Sequence, residues 1–530
     1  MDIHSSRRRF LKTSSAAAAS TVLGGALGGA LTGCGGHDDG APPPSPLPMT
    51  TSEQLALTAS QAIAAMQSGR LTAETYVMTL IARADALTDL RALISVNRTG
   101  ALTAARAVDA MRKAGAAVGV LAGLPIVVKD NINTRELPTT GGTPALRNVQ
   151  PAANAPSLQK LIDAGAIVLG KANMHELAFG ITSTNLASFA GPVKNPYDRT
   201  RIPGGSSGGP AAAIAARIAP AGLGTDTGGS MRIPAALCGI VGLRPSVGNG
   251  GTQRRYTDTN AVVPISHTRD TVGPMGRTVA DVALLDAVIS GRAAPAAIGL
   301  QGLRIGIPAS FWTGLDNSLS SVVTSAKSRL ASAGVVFIDV DTTGLSALND
   351  NVSFQVALHE PIADIPAYLA ATGVTGITVA SIAAQIASPD VRGAFGAILA
   401  DALGAAYPAA INVYRPRMQA LYASYFANNA LDAMMFPTTI LPAVVIDAVN
   451  GSSTVSINGG PPVDEFGTYI RNTDPGSNAG IPGLSVFAGM TAGGLPVGLE
   501  FDGPVGSDSR LLGIGLAVEG ALGVAPAPPV

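Results

Sequence analysis

The chain has 530 residues, of which 47% are hydrophobic and 13% charged, enough apolar material for a large buried core and too much for a disordered protein. Lys plus Arg and Asp plus Glu number 35 each, so no basic face is implied and nucleic acid is not an expected partner. Two cysteines exclude a disulfide framework, and the five histidines form no HExxH or Cys/His cluster, so no metal site is expected.

The N-terminal "SSRRRFLKTSS" precedes an Ala/Gly-rich, weakly apolar run. That order resembles a twin-arginine export signal over residues 1–33. The run ends in "LTGC", similar to a bacterial lipobox, which implies lipid attachment at Cys34 and an exported protein, periplasmic or held on the membrane only by that lipid. Seven glycines from Gly24 to Gly36 make the same run a poor spanning helix. Residues 34–48, rich in Gly and Pro, form a tether with nothing to bury. The folded domain is expected over 49–525.

Thr50 and Glu53 are placed as a capping box for a first helical run, "TSEQLALTASQAIAAMQSG". "TAETYVMTLIARADAL" and "AVDAMRKAG" predict two more helices, the second stopped by Gly115. "LPIVVKD" is a short buried strand, and "SLQKLIDAGAIVLGKANM" gives a helix, a glycine stop and the strand "AIVLGK". Downstream, "LRIGIP", "GVVFIDV", "DAMMFPTT", "GLSVFAG" and "LPVGLEFDG" predict further buried strands. "SSVVTSAKSRLASAG" and "DSRLLGIGLAVEGALG" predict helices. This interleaving predicts an α/β fold: one large domain with a central, mixed, mostly covered sheet flanked by helices. Fewer strand signals over 310–430 predict a helical cap there.

Three glycine-rich stretches are candidates for chemistry. "GAIVLGKA", Gly165–Ala172, nearly spells a phosphate loop. It lacks the Ser or Thr that would hold magnesium, and its middle is a strand. In "GGSSGG", Gly204–Gly209, the spacing G-x-S-x-G matches a nucleophile elbow. The preceding "NPYDRTRIP" is a loop rather than the required strand, and neither His267 nor His359 has an evident Asp partner. The third, "TDTGGS", sets two glycines before Ser230, so that backbone N–H groups can converge as an oxyanion site requires.

Together, "LAGLPIVVKDNINTRELPTTGGTPAL", "RIPGGSSGGPAAAIAARIAPAGLGTDTGGSMRIPAALCGIVGLRPS", "GPMGRTVADVALLD" and "GLPVGLEF" resemble the amidase signature family over most of residues 50–520. Pro210 is the one departure within the signature, and proline is tolerated where a helix opens. The resemblance implies a Ser-cisSer-Lys hydrolase without cofactor, acting on a small amide. Ser230 would be the nucleophile, Ser206 the bridging serine on a cis peptide, and Lys129 the base. Thr227, Gly228 and Gly229, with Ser230, would give the oxyanion N–H groups. Asp226 and Arg232 are expected to support the glycine turn, Asp130 to pair with a cation or cap a turn, Cys238 to fill the core, and His175 to be structural. An exposed lysine, with a pKa of about 10.4, is protonated at neutral pH, so the base has to be desolvated. "HELAFGITSTN" and "PISHTRDTVGPM" look most like the branch acting on mandelamide- or indoleacetamide-type amides. The alternatives are a glutamine amidotransferase-type subunit and a non-catalytic solute-binding lipoprotein.

Overall fold

The computed structural model describes residues 48–530. The arginine motif, the lipobox with Cys34 and most of the tether lie outside the described residues. No helix among the described residues is long and apolar enough to cross a membrane.

Eleven strands build one mixed sheet. They are β1 Leu93–Val96, β2 Pro125–Lys129, β3 Ile167–Ala172, β4 Ala221–Asp226, β5 Val241–Arg244 and β6 Thr271–Gly276 in the first half of the chain. The second half gives β7 Arg304–Ile307, β8 Val336–Asp339 and β9 Ala433–Pro437, then, after a two-residue ribbon of β10 Thr454–Val455 and β11 Val463–Asp464, β12 Gly483–Met490 and β13 Pro496–Asp502. The sheet order is β1-β3-β2-β4-β6-β5-β12-β13-β9-β7-β8. β3, β2 and β4 run parallel, as do β9, β7 and β8, and antiparallel pairs join the two groups. Every residue of β2, β4, β6, β9 and β13 is buried, as expected of central strands covered on both faces.

The helix Gly208–Ala215 is buried along its whole length. Its small Ala and Gly residues let it lie against β2 and β4, and Pro210 sits in its first turn, where a missing N–H costs no ladder bond. The helix Arg232–Cys238 packs equally close to β12 and β13.

Three expectations are corrected. The run from Thr50 is two helices, Thr51–Ala56 and Ala59–Gln67, because Thr58 and Gln61 form a second capping box that restarts the chain. The helical cap is smaller than 310–430. The helix Asn317–Ser332 packs on β12 and β13, and β8 joins the sheet, so both belong to the central layers and the cap elements begin near Leu345. The edge strand β1 and the Pro274-bearing β6 gave no readable strand signal: four residues is too short for a period, and Pro and Gly mask β propensity.

A Cβ added at Gly498 of β13 would lie 2.5 Å from Ala236 Cβ. Gly498→Val is expected to destabilise the protein by about 1–3 kcal/mol, as overpacking does. Because it pushes on the helix that follows Ser230, it should also lower turnover, measured by thermal unfolding beside an amide-hydrolysis assay.

Candidate active site

β2 and β4 are parallel neighbours, with Val128 opposite Leu223. Their carboxyl ends therefore open at one place, where α/β sheets commonly build sites. Lys129 ends β2 and Asp226 ends β4. Lys129 has no exposure to solvent. Its Nζ lies 2.7 Å from Ser206 Oγ and 2.7 Å from Thr225 Oγ1. Thr225 Oγ1 also accepts from Asn131 Nδ2 at 3.1 Å. An oxygen receiving from both neighbours leaves the lysine lone pair free to face Ser206. Burial pulls the Lys129 ammonium from 10.5 down to about 7, against the opposing pull of Asp226 and Asp270.

The Gly205–Ser206 peptide is cis. The "GGSSGG" loop is stitched in place: His175 N and Ser183 Oγ donate to Ser206 O, and Ser207 Oγ donates to Thr225 O at 3.1 Å. Ser207 N donates to Ser230 O at 3.0 Å, which ties the two serine loops together. The structure thus joins Lys129 to Ser206 by side chains, and the next residue, Ser207, to Ser230 through the backbone. Among the described residues, Ser230 Oγ makes no hydrogen bond.

The turn from β4 into the helix Arg232–Cys238 is shaped by Asp226. Its carboxylate accepts from Gly229 N at 3.0 Å, Met231 N at 3.1 Å, Arg232 Nε at 3.1 Å and Arg244 Nη1 at 3.0 Å. Burial alone would raise this carboxyl; Arg232 and Arg244 outweigh it and hold it well below the carboxylate range. Arg232 also pairs with Glu500. Asp226 and Arg232 thus bond to each other and to the backbone of the glycine turn. Gly229 has φ 135°, and a Cβ there would sit 2.2 Å from Thr473 Oγ1, so only glycine fits.

One expected donor is removed. The N–H of Gly229 is committed to Asp226, so it is not free for an oxyanion. Among the described residues, the N–H groups of Thr227, Gly228 and Ser230 carry no hydrogen bond. The carbonyls beside them are held from outside: Arg269 Nε donates to Thr227 O at 3.2 Å, and Thr473 Oγ1 to Gly228 O at 2.7 Å. Thr227 Oγ1 donates to Asp270 at 2.6 Å.

Ser230 lines a cavity of about 360 Å³ with Phe179, Ile181, Ile265 and, from the cap, Phe354 and Leu358. Arg269 links this wall to the glycine turn, because its Nη1 donates to Ser353 O at 3.0 Å and its Nη2 pairs with Asp474.

Several of these residues escaped the reading of the sequence. Asn131 and Thr225 lie close in sequence to Lys129 and Ser230, and Arg269 and Asp270 lie in "PISHTRDTVGPM", so those stretches were their available signal. Asp474 had none, being brought in by the fold alone. Asp130 meets Lys171 at 3.4 Å. Lys171 Nζ donates to four further oxygens, and its ammonium is lowered to about 8 by burial, opposed by Asp130. Cys238 is fully buried in the core. His175 is buried, accepts from Ser183 N at 3.2 Å and faces Asp390 at 3.0 Å.

His267 and His359 do have Asp partners, Asp364 at 3.0 Å and Asp401 at 2.7 Å, supplied by cap segments distant in sequence. Neither lines the Ser230 cavity. His267, Glu360 and Asp364 also cluster closely enough to hold a cation. Glu360 is already occupied there by Ser266, Thr268 and Tyr407, so the group is a hydrogen-bonded clasp between the cap and the loop before β6.

The family model Amidase matches residues 75–512. The chain belongs to the amidase family. This amidase is 43% identical over 450 residues to the indoleacetamide hydrolase of Agrobacterium vitis, covering 84% of its own length and 93% of that protein. It is 39% identical over 488 residues to the mandelamide hydrolase of Pseudomonas putida, covering 89% and 92%. Its structure is similar to the peptide amidase of Stenotrophomonas maltophilia, with a TM-score of 0.74 and 29% identity over 89% of this chain and 98% of that one. The amidase therefore hydrolyses an amide C–N bond.

Removing the charge at the centre of the site tests the reading of the turn. Asp226→Asn leaves Arg232 and Arg244 buried without their shared carboxylate, and should cost about 3–5 kcal/mol in a denaturant titration.

Proposed function

We propose that this amidase cleaves small primary arylalkyl amides to an acid and ammonia through an acyl-enzyme on Ser230. The observation that carries the proposal is the fully buried Lys129, its ammonium lowered to about 7 and its Nζ 2.7 Å from Ser206 Oγ. A solute-binding protein has no use for a desolvated amine against a serine. The apolar Ser230 cavity and the names of the two hydrolase relatives support an aryl-bearing acyl group.

In this reading neutral Lys129 takes a proton from Ser206, and Ser206 takes one from Ser230 once that hydroxyl turns toward it. Ser230 Oγ attacks the amide carbon. The oxyanion meets the free N–H groups of Thr227, Gly228 and Ser230, which are held ready by Arg269, Asp270 and Thr473. The proton returns through Ser206 to the amide nitrogen, and ammonia leaves. Water then repeats the sequence against the ester and frees the acid.

Release of ammonia from phenylacetamide, mandelamide and indoleacetamide tests this. Ser230→Ala is expected to abolish turnover and Lys129→Met to lower kcat by about 10²–10⁴-fold. Because the base works when unprotonated, kcat/KM should rise as pH passes through about 7 and then level off. Flat pH dependence between 6 and 9 would exclude Lys129 as the base.

The arginine motif and "LTGC" support export and lipidation at Cys34. In a bacterial host Cys34→Ala should move the activity from the membrane fraction to the soluble one, followed by fractionation and assay.

A further inference from the structure

The walls of the Ser230 cavity are not equivalent. Ile181, Ile265 and Phe179 come from the loops around the sheet, whereas Phe354 comes from the short cap helix Ser353–Ala357. Phe354 is 47% exposed, high for a phenylalanine. Its ring is paired with Phe466, centroids 5.9 Å apart and planes at 38°, and Phe466 lines the same cavity.

Behind Phe354 is a second, larger cavity of about 580 Å³. Polar Thr342, Asn349 and Asn472 line it beside apolar Phe311, Leu345 and Ile470. Ser353, Phe354, Ile470 and Asp474 line both spaces. The phenyl ring thus belongs to the wall shared by the chamber that holds Ser230 and a larger one that does not.

The backbone under this ring is fixed. Ser353 O accepts from Arg269 Nη1 at 3.0 Å, and the same guanidinium donates from Nε to Thr227 O at 3.2 Å. One planar group therefore sets the spacing between the residue before Phe354 and the turn that carries Ser230.

From this we infer that Phe354 is a specificity-determining residue that limits the length of the acyl group and favours an aromatic ring at its far end. The inference rests on the arylalkyl-amide reading and adds the residue that imposes it. A ring lodged beside Phe354 and Phe466 gains edge-to-face or offset contacts that a saturated ring of equal size lacks. A chain longer than the chamber meets Phe354 before it can reach the second space.

Three amides separate the two effects: phenylacetamide, cyclohexylacetamide and 4-butoxyphenylacetamide, assayed for kcat/KM on the full-length enzyme, Phe354→Leu and Phe354→Ala. Each substitution is judged by ratios within one protein, so a change in folded fraction cancels. Phe354→Leu keeps the bulk, and should reduce the preference for phenyl over cyclohexyl by about 5–10-fold while long substrates stay excluded. Phe354→Ala joins the chambers, and should raise the ratio of 4-butoxyphenylacetamide to phenylacetamide by about tenfold or more. If Phe354→Ala lowers all three rates by a common factor and neither ratio moves, Phe354 is only part of the wall and the inference is overturned. If the unaltered enzyme hydrolyses none of the three while releasing ammonia from another amide, the arylalkyl reading fails and takes this inference with it.

Discussion

A single carboxylate without contact to solvent organises the active site. Asp226 stands at the end of β4, where the chain must leave the sheet, turn through two glycines and enter a helix within six residues. A buried charge is tolerated only when it is paired and hydrogen-bonded, and here Arg232, Arg244 and two backbone N–H groups satisfy it. The price of desolvation is met by fixing the turn. With the Gly229 and Met231 N–H groups drawn in toward Asp226, those of Thr227, Gly228 and Ser230 are left without a hydrogen-bond partner among the described residues.

Lys129 shows the opposite outcome of the same environment. Asp226 and Asp270 both favour its charged form, yet neither is a direct ion-pair partner, and burial outweighs them. A carboxylate in contact would have kept the ammonium protonated. Contacts with the hydroxyls of Ser206 and Thr225 instead leave an amine that can exchange a proton near neutrality. The arginines hold Asp226, and the lysine is left to the hydroxyls.

Much of this was legible in the chain. The long apolar runs gave β2, β3, β7, β9, β12 and β13, because central strands need no alternation to be recognised. The glycine turn and the Lys129, Ser206 and Ser230 candidates followed from motifs whose order resembles one family. What could not be read depends on distance. The commitment of the Gly229 N–H to Asp226 is a matter of where a side chain points after folding. The Asp partners of His267 and His359 lie far along the sequence in the cap, and Thr473 and Asp474 reach the nucleophile loop only because the helix Asp474–Ala479 is folded back against it. The break between the first two helices was visible in Thr58 and Gln61, but helical spacing continues across it and conceals the second cap.

Lys129 has a near twin. Lys171, in the adjacent parallel strand β3, is equally buried, and Asp130 lies against it rather than against Lys129. Lys129 and Asp130 are consecutive, and consecutive residues of extended chain face opposite ways. This alternation alone sends the lysine toward the serines and the aspartate toward the other lysine. A slip of one residue in that segment would reverse both directions, turning the acid toward Ser206 and the amine away from it. Strand register, ordinarily a property of folding, is here also what decides which of two buried lysines faces Ser206.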